Sequence, residues 1–368
     1  MKTTTISVLA FAMSLFPAAA QAAGNDPGPW DSKAAAAYLD QRAEWWMGWS
    51  QSARDHDTFC ISCHTALPYA LGRPALRAAL GEQSPSASER KLLDNITKRV
   101  RLWNEVEPFY SDEKRGAPKT AESRGTEAVL NALILSNYSA QEGKLNPDAR
   151  LALDNMWALQ LKTGEGKGAW TWLNFHNQPW EAEDSQYWGA TLGAIAAGTA
   201  PDGYRSMPEI QNNLKLLSDY LQQGLASQSL INRVFLLWAS AKVPGILKPD
   251  QQKSIVDEVL SKQQPDGGWS TSTLVIGTWK RRDGTPLDTA SDGYGTGLVT
   301  FVLEQAGVRR TQPALKNALS WLTHNQDQAS GLWLAYSLNK QRDPASDVGR
   351  FMIDAATAYS VLALSGGK

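Results

Sequence analysis

Apolar and polar positions along the chain fall into two alternating patterns. Amphipathic stretches occupy about 31–54, 86–105, 147–162, 207–223, 249–263 and 313–325, each with one apolar stripe and one charged face, the signature of surface helices. Three of them begin at Pro147, Pro249 and Pro313. Proline suits a first helical position because its missing N–H would be unpaired there anyway. Between these stretches lie runs that are apolar nearly all round, beginning near residues 63, 126, 188, 231, 294 and 355. A helix apolar on every side is buried on every side. Most of these runs open with a small residue and a threonine: Gly125-Thr126, Gly189-Ala190-Thr191, Gly295-Thr296 and Ala356-Thr357, with Thr65 in the earliest copy and a looser fit at 231–239.

A second repeat is superimposed on the first. Gln160 leads to Gly168-Ala169-Trp170, Gln263 to Gly267-Gly268-Trp269, and Gln326 to Gly331-Leu332-Trp333. Each follows an amphipathic stretch. Six buried and six amphipathic helices in strict alternation predict an all-α fold, an α6/α6 toroid. Such repeats cannot bury their faces singly, so the ring is expected to be one domain over 23–368, although the length alone would suggest two. An open helical stack is the alternative. Closure is favoured because the N-terminal amphipathic helix supplies the sixth outer member that the C-terminal end lacks.

Composition narrows the class. With Lys+Arg 36 against Asp+Glu 37 the net charge is −1, so nothing in the charge balance draws the chain to nucleic acid. Lys2, the apolar run 6–20 and the small residues at 18–22 have the layout of a secretory signal peptide over 1–22, which predicts a periplasmic or secreted protein. That run is too short to span a bilayer, and no later segment is long and apolar enough, so no transmembrane segment is expected.

The Gln…Gly-x-Trp segments, above all Lys262-Gln263-Gln264-Pro265-Asp266-Gly267-Gly268-Trp269, resemble the QW repeats of squalene–hopene cyclases and related prenyltransferase-type toroids. The resemblance covers roughly residues 60–365. It implies that Trp170, Trp269 and Trp333 tie outer helices together. The cyclase reaction is not implied, because neither DxDD nor DDxxD occurs; the nearest acidic clusters, 181–184 and 288–292, have the wrong spacing.

The 2 cysteines stand in Cys60-Ile61-Ser62-Cys63-His64, a C-x-x-C-H segment. This is the attachment pattern for one covalent c-type haem, with Cys60 and Cys63 as thioether links and His64 as axial iron ligand. The expectation is therefore a mono-haem c-type cytochrome on a toroid, relaying electrons to a redox partner or oxidising a small hydrophobic substrate. His176 is the first candidate for a second axial ligand, followed by Met352, with His56 and Met47 as local alternatives. Arg73 and the 280–282 run are candidates for haem propionates. A zinc site or a disulfide at Cys60 and Cys63 are the alternatives for the pair. Trp188, Tyr294, Asp292 and Asp354 open buried helices and are candidates for the wall of a substrate cavity. Two other readings stand beside the cytochrome. One is a haem-free hydrolase or lyase acting on polysaccharide, and the other is a module that binds a lipid or isoprenoid.

Overall fold

A computed structural model describes residues 30–366; the expected signal segment 1–22 lies outside the described residues. The outer helices are α1 (Ser32–Gly48), α3 (Ala87–Arg101), α6 (Pro147–Ala158), α8 (Gln211–Gly224), α10 (Pro249–Ser261) and α12 (Pro313–His324). The inner helices are α2 (Ala66–Leu80), α5 (Lys119–Glu142), α7 (Ser185–Thr199), α9 (Leu230–Lys242), α11 (Gly293–Gln305) and α13 (Phe351–Ser365). A single turn, α4 (Asp112–Arg115), a hairpin of β1 (Ala53–Arg54) and β2 (Thr58–Phe59), and four three-residue 3-10 turns complete the described elements. Each inner helix packs on the next, and α13 packs on both α11 and α2. The ring is closed, and the fold is the all-α toroid that the alternation predicts.

The boundaries differ where polarity hides a helix. α5 starts at Lys119, about two turns before the apolar run near 126. Its first residues are polar because they face a loop rather than the core: Lys119 Nζ donates to the carbonyl of Asn174 at 2.8 Å. The first amphipathic stretch ends at Gly48 rather than 54, where the chain turns into the β1–β2 hairpin. No helix among the described residues is long and apolar enough to cross a membrane.

The two sequence repeats turn out to be halves of one staple. Gln160, Gln263 and Gln326 each donate to the Gly carbonyl of their own turn, at 2.9, 2.8 and 3.0 Å. Each also donates to the start of the next outer helix: Asn213 in α8, Ala314 in α12 and Asp31 at the N-cap of α1. The last of these joins the C-terminal repeat to the N-terminal helix. Trp170, Trp269 and Trp333, fully buried, donate back to carbonyls of the preceding outer helix at Met156, Val259 and Leu322. The backbone N–H of Trp269 and Trp333 in turn donates to Thr296 and Thr357, the threonines of the inner-helix starts. Glycine is required at 168, 267 and 331, where φ is positive and a Cβ would strike the backbone of the next outer helix. The tryptophans are structural, as the resemblance implies.

An aromatic layer fills the middle of the ring. Trp172, Trp188, Phe235, Tyr359, Tyr294 and Trp180 meet in successive edge-to-face contacts with centroids 5.4–6.1 Å apart. The toroid therefore has two separate mouths and no open pore at this level.

Candidate functional site

The N-terminal ends of the inner helices converge on one mouth, as expected of this architecture. Ser62 Oγ accepts from the N–H groups of Thr65 and Ala66 and so caps α2. That cap sets the preceding residues in place. Cys60 is held by its N–H to Ser52 and by Trp46 Nε1 donating to its carbonyl at 2.8 Å. Both thiols are free and buried, 4 % and 3 % exposed. Burial pushes Cys60 up to about 11 and Cys63 well above the usual thiol range, so neither is a thiolate at neutral pH.

His64 stands half-buried at the mouth. Its ring stacks on Phe351, centroids 3.7 Å apart and planes 21° apart, with the edge of Trp46 at 5.0 Å. A short relay fixes its tautomer. Asp354 accepts from Tyr38 (2.8 Å), from Arg42 (2.8 and 3.1 Å) and from Thr65 Oγ1 (2.6 Å). Since Thr65 spends its proton on Asp354, it accepts from His64 Nδ1 at 2.9 Å. His64 Nε2 is left with its lone pair. Burial, with Arg42 adding to it, pushes the imidazole down to about 3, so His64 is neutral through the physiological range.

Glu181 lies across the same space. A tight turn brings it there: its carbonyl accepts from the N–H groups of Phe175 and Asn177, and its N–H donates to the carbonyl of Asn177 at 2.8 Å. Asn339 pins this turn from the loop before α13, accepting from Gln178 N–H at 2.9 Å and donating to its carbonyl at 2.7 Å. Trp180 Nε1 donates to Tyr294 Oη at 3.1 Å and anchors the turn to the aromatic layer. Burial pushes the Glu181 carboxyl up to about 7, although Asn177 and Lys119 pull it the other way. His64, Asn177, Glu181 and Phe351 line two adjoining cavities of about 430 and 150 Å³. Trp46, Trp49 and Tyr110 form an aromatic wall of the larger, and Arg115 and Arg282 add positive charge to it. Arg282 is held in place by Phe175 O and Asn177 Oδ1. The site thus offers a carboxyl that titrates near neutrality, a lone-pair acceptor, flat apolar walls and two cations.

The other sequence candidates are placed as follows. His176 has a left-handed backbone, and its exposed ring pairs with Glu183. His56 is exposed beside Asp55, and Met47 is buried in the core. Met352 is buried on the wall of the smaller cavity. Arg73 is bound by Asp40 and Glu82, and Arg281 by Asp288 and the Ser337 carbonyl. Trp188 and Tyr294 belong to the buried aromatic layer. Asp292 is the buried N-cap of α11, accepting from Gly295 N–H and from the N–H and Oγ1 of Thr271. Sequence reasoning noted Glu181 only as part of an acidic cluster. No local signal sets it apart from Glu183 and Asp184 in the same cluster.

No family model matches the chain, and no curated protein matches it. Solved structures do. A glycosyl hydrolase of family 88 from Bacteroides vulgatus is 12 % identical with a TM-score of 0.53, covering 90 % of this chain and 97 % of its own. A wild-type glycosidase is 13 % identical (TM-score 0.48), covering 90 % and 98 %. A polysaccharide lyase is 13 % identical (TM-score 0.37), covering 92 % and 89 %. At this identity the likeness is one of fold.

These findings correct the haem expectation. The toroid is shared with a glycosyl hydrolase, and the C-x-x-C-H segment is a capped helix start with both thiols packed into the core. The expected second axial ligand, His176, is exposed and pairs with Glu183 instead. The expectation of covalent haem c at Cys60, Cys63 and His64, and of electron transfer through it, is thereby corrected. The zinc alternative goes with it, since no group of three or more His, Cys, Asp or Glu among the described residues is arranged to hold a metal ion.

Proposed function

We propose that the chain is a haem-free toroid enzyme that cleaves a glycan at this mouth by acid–base chemistry, the hydrolase- or lyase-like alternative above. The observation that carries the reading is Glu181, a carboxyl raised to about 7 by burial, on the same cavity wall as a His64 that is neutral at physiological pH. A carboxylic acid that keeps its proton near neutrality can donate it to a departing glycosidic oxygen. In hydrolysis the C–O bond breaks, the Glu181 proton goes to the leaving oxygen, and the proton released by the attacking water reloads the carboxylate. His64 Nε2 accepts from a sugar hydroxyl or from that water, with Thr65 and Asp354 positioning the ring. Trp46, Trp49 and Tyr110 suit the flat apolar faces of sugar rings, and Arg115 and Arg282 suit an acidic sugar. The framework resembles that of squalene–hopene cyclases, but without DxDD or DDxxD it has no acid of the cyclase kind.

The test is a panel of neutral and uronate polysaccharides, followed by reducing ends and by the ultraviolet absorbance of unsaturated uronate, which separates hydrolysis from elimination. Turnover that falls as pH rises through about 7 and disappears in Glu181→Gln is expected. Full turnover by Glu181→Gln, or none of any glycan by the parent chain, refutes the proposal.

A further inference from the structure

The opposite mouth, where the inner helices end, holds a cavity of about 550 Å³, within the range typical of small-molecule sites. Every inner helix contributes to it. Its apolar lining includes Leu71, Leu133, Ile195, Trp238, Phe301 and Leu362. The aromatic layer across the ring separates it from the mouth that carries Glu181.

Its polar groups are one-sided. No acidic residue lines it; Arg77 and Lys242 do. Arg77 is already engaged, with Glu89 at 3.3 Å and Gln141 at 3.0 Å. Lys242 is half-buried, and loss of water alone lowers its pKa, with no acid close enough to oppose that. Trp238 Nε1 is buried without a hydrogen-bond partner. An apolar chamber with an uncompensated cation at its edge is complementary to a molecule with an apolar body and one negative head.

We propose that this mouth is a second binding site, for an anionic amphiphile whose acyl chain fills the apolar chamber and whose carboxylate pairs with Lys242. The proposal does not depend on the chemistry at the Glu181 mouth.

Isothermal titration of the full chain with dodecanoate, dodecanol and dodecyltrimethylammonium tests it. Dodecanoate is expected to bind saturably at one site, dodecanol about tenfold more weakly through loss of the charged hydrogen bond, and the cation not at all. Lys242→Gln should bring dodecanoate down to the level of the alcohol. Ala75→Trp, placed on the half-exposed lip, should abolish binding of both while leaving the thermal midpoint and any glycan turnover unchanged. Equal binding of acid and alcohol, no binding of dodecanoate, or parent-like binding by either variant overturns the proposal.

Discussion

The two mouths of the toroid are built by the same six inner helices and yet differ in that only one of them carries acids. At the N-terminal mouth Glu181, Asp292 and Asp354 stand together with Arg115 and Arg282; the cavity of the C-terminal mouth is lined by Arg77 and Lys242 and by no acid. The helices run in parallel, so one mouth collects six positive dipole ends and the other six negative ones. Carboxylates are favoured at the first and cations at the second. The connections differ as well. Long segments at 159–184, 262–292 and 325–350 fold over the N-terminal mouth and carry hydrogen-bonded turns into it, whereas 81–86, 143–146 and 243–248 merely reverse the chain at the other. Long loops on a rigid scaffold are where chemistry is placed, and short reversals leave a plain apolar opening.

The largest effect expected of any substitution is at the acid-rich mouth. Asp354→Asn leaves Arg42, 2 % exposed, without its buried counter-charge, which should cost about 3–5 kcal/mol in urea unfolding. A loss below about 1 kcal/mol would mean that Asp347, also paired with Arg42, suffices to compensate it. Next is Glu181→Gln, expected to lower kcat on a glycan at least about 100-fold. Ala75→Trp at the far mouth should leave kcat untouched, and a parallel fall in both variants would erase the distinction between the mouths.

The pH dependence of stability sharpens the comparison further. Glu181 has its proton held more tightly in the folded chain (about 7) than the ordinary 4.5, so its contribution to stability is present below 4.5 and is lost as pH rises through about 7. His64 acts in the opposite sense. Its contribution is present above the ordinary 6.5 and is lost as pH falls toward about 3. Glu181→Gln should therefore be more stable than the parent at pH 8, by up to about 2 kcal/mol after allowance for partial exposure, with no such advantage at pH 4. Thermal denaturation at the two pH values measures this, and equal differences at both would show that Glu181 is ordinary. The smallest effect is that of Thr65→Val, which cuts His64 from Asp354 and should cost about 1 kcal/mol. Its specific readout is the nitrogen resonance of His64 Nδ1, which should shift as the donated bond is lost.

Which residues would form the ring was legible because helix periodicity and chain punctuation are local. The apolar runs and the prolines at 147, 249 and 313 locate the alternating helices, and the Gln…Gly-x-Trp spacing locates the staples. Even the error at α5 has a local cause, since its first two turns are polar and face a loop.

The site was less legible because its members converge from distant segments. Cys60-x-x-Cys63-His64 is a strong pattern in one dimension, yet whether two thiols and an imidazole face a cofactor or a core depends on what packs against them. Here Phe351, nearly three hundred residues away, stacks on His64, and the two thiols are buried beneath the wall of the larger cavity. Nor does any local property distinguish Glu181 from Glu183, two residues on. The first is drawn into a cavity by a turn that Asn339 pins, and its carboxyl rises; the second lies at the surface beside His176, and its carboxyl falls. The sequence by itself determined the alternation of helices and hence the ring, because burial periodicity is written within each segment. The tertiary structure alone decided which groups keep their protons and which mouth they face, because desolvation depends on neighbours that only the closed ring brings together.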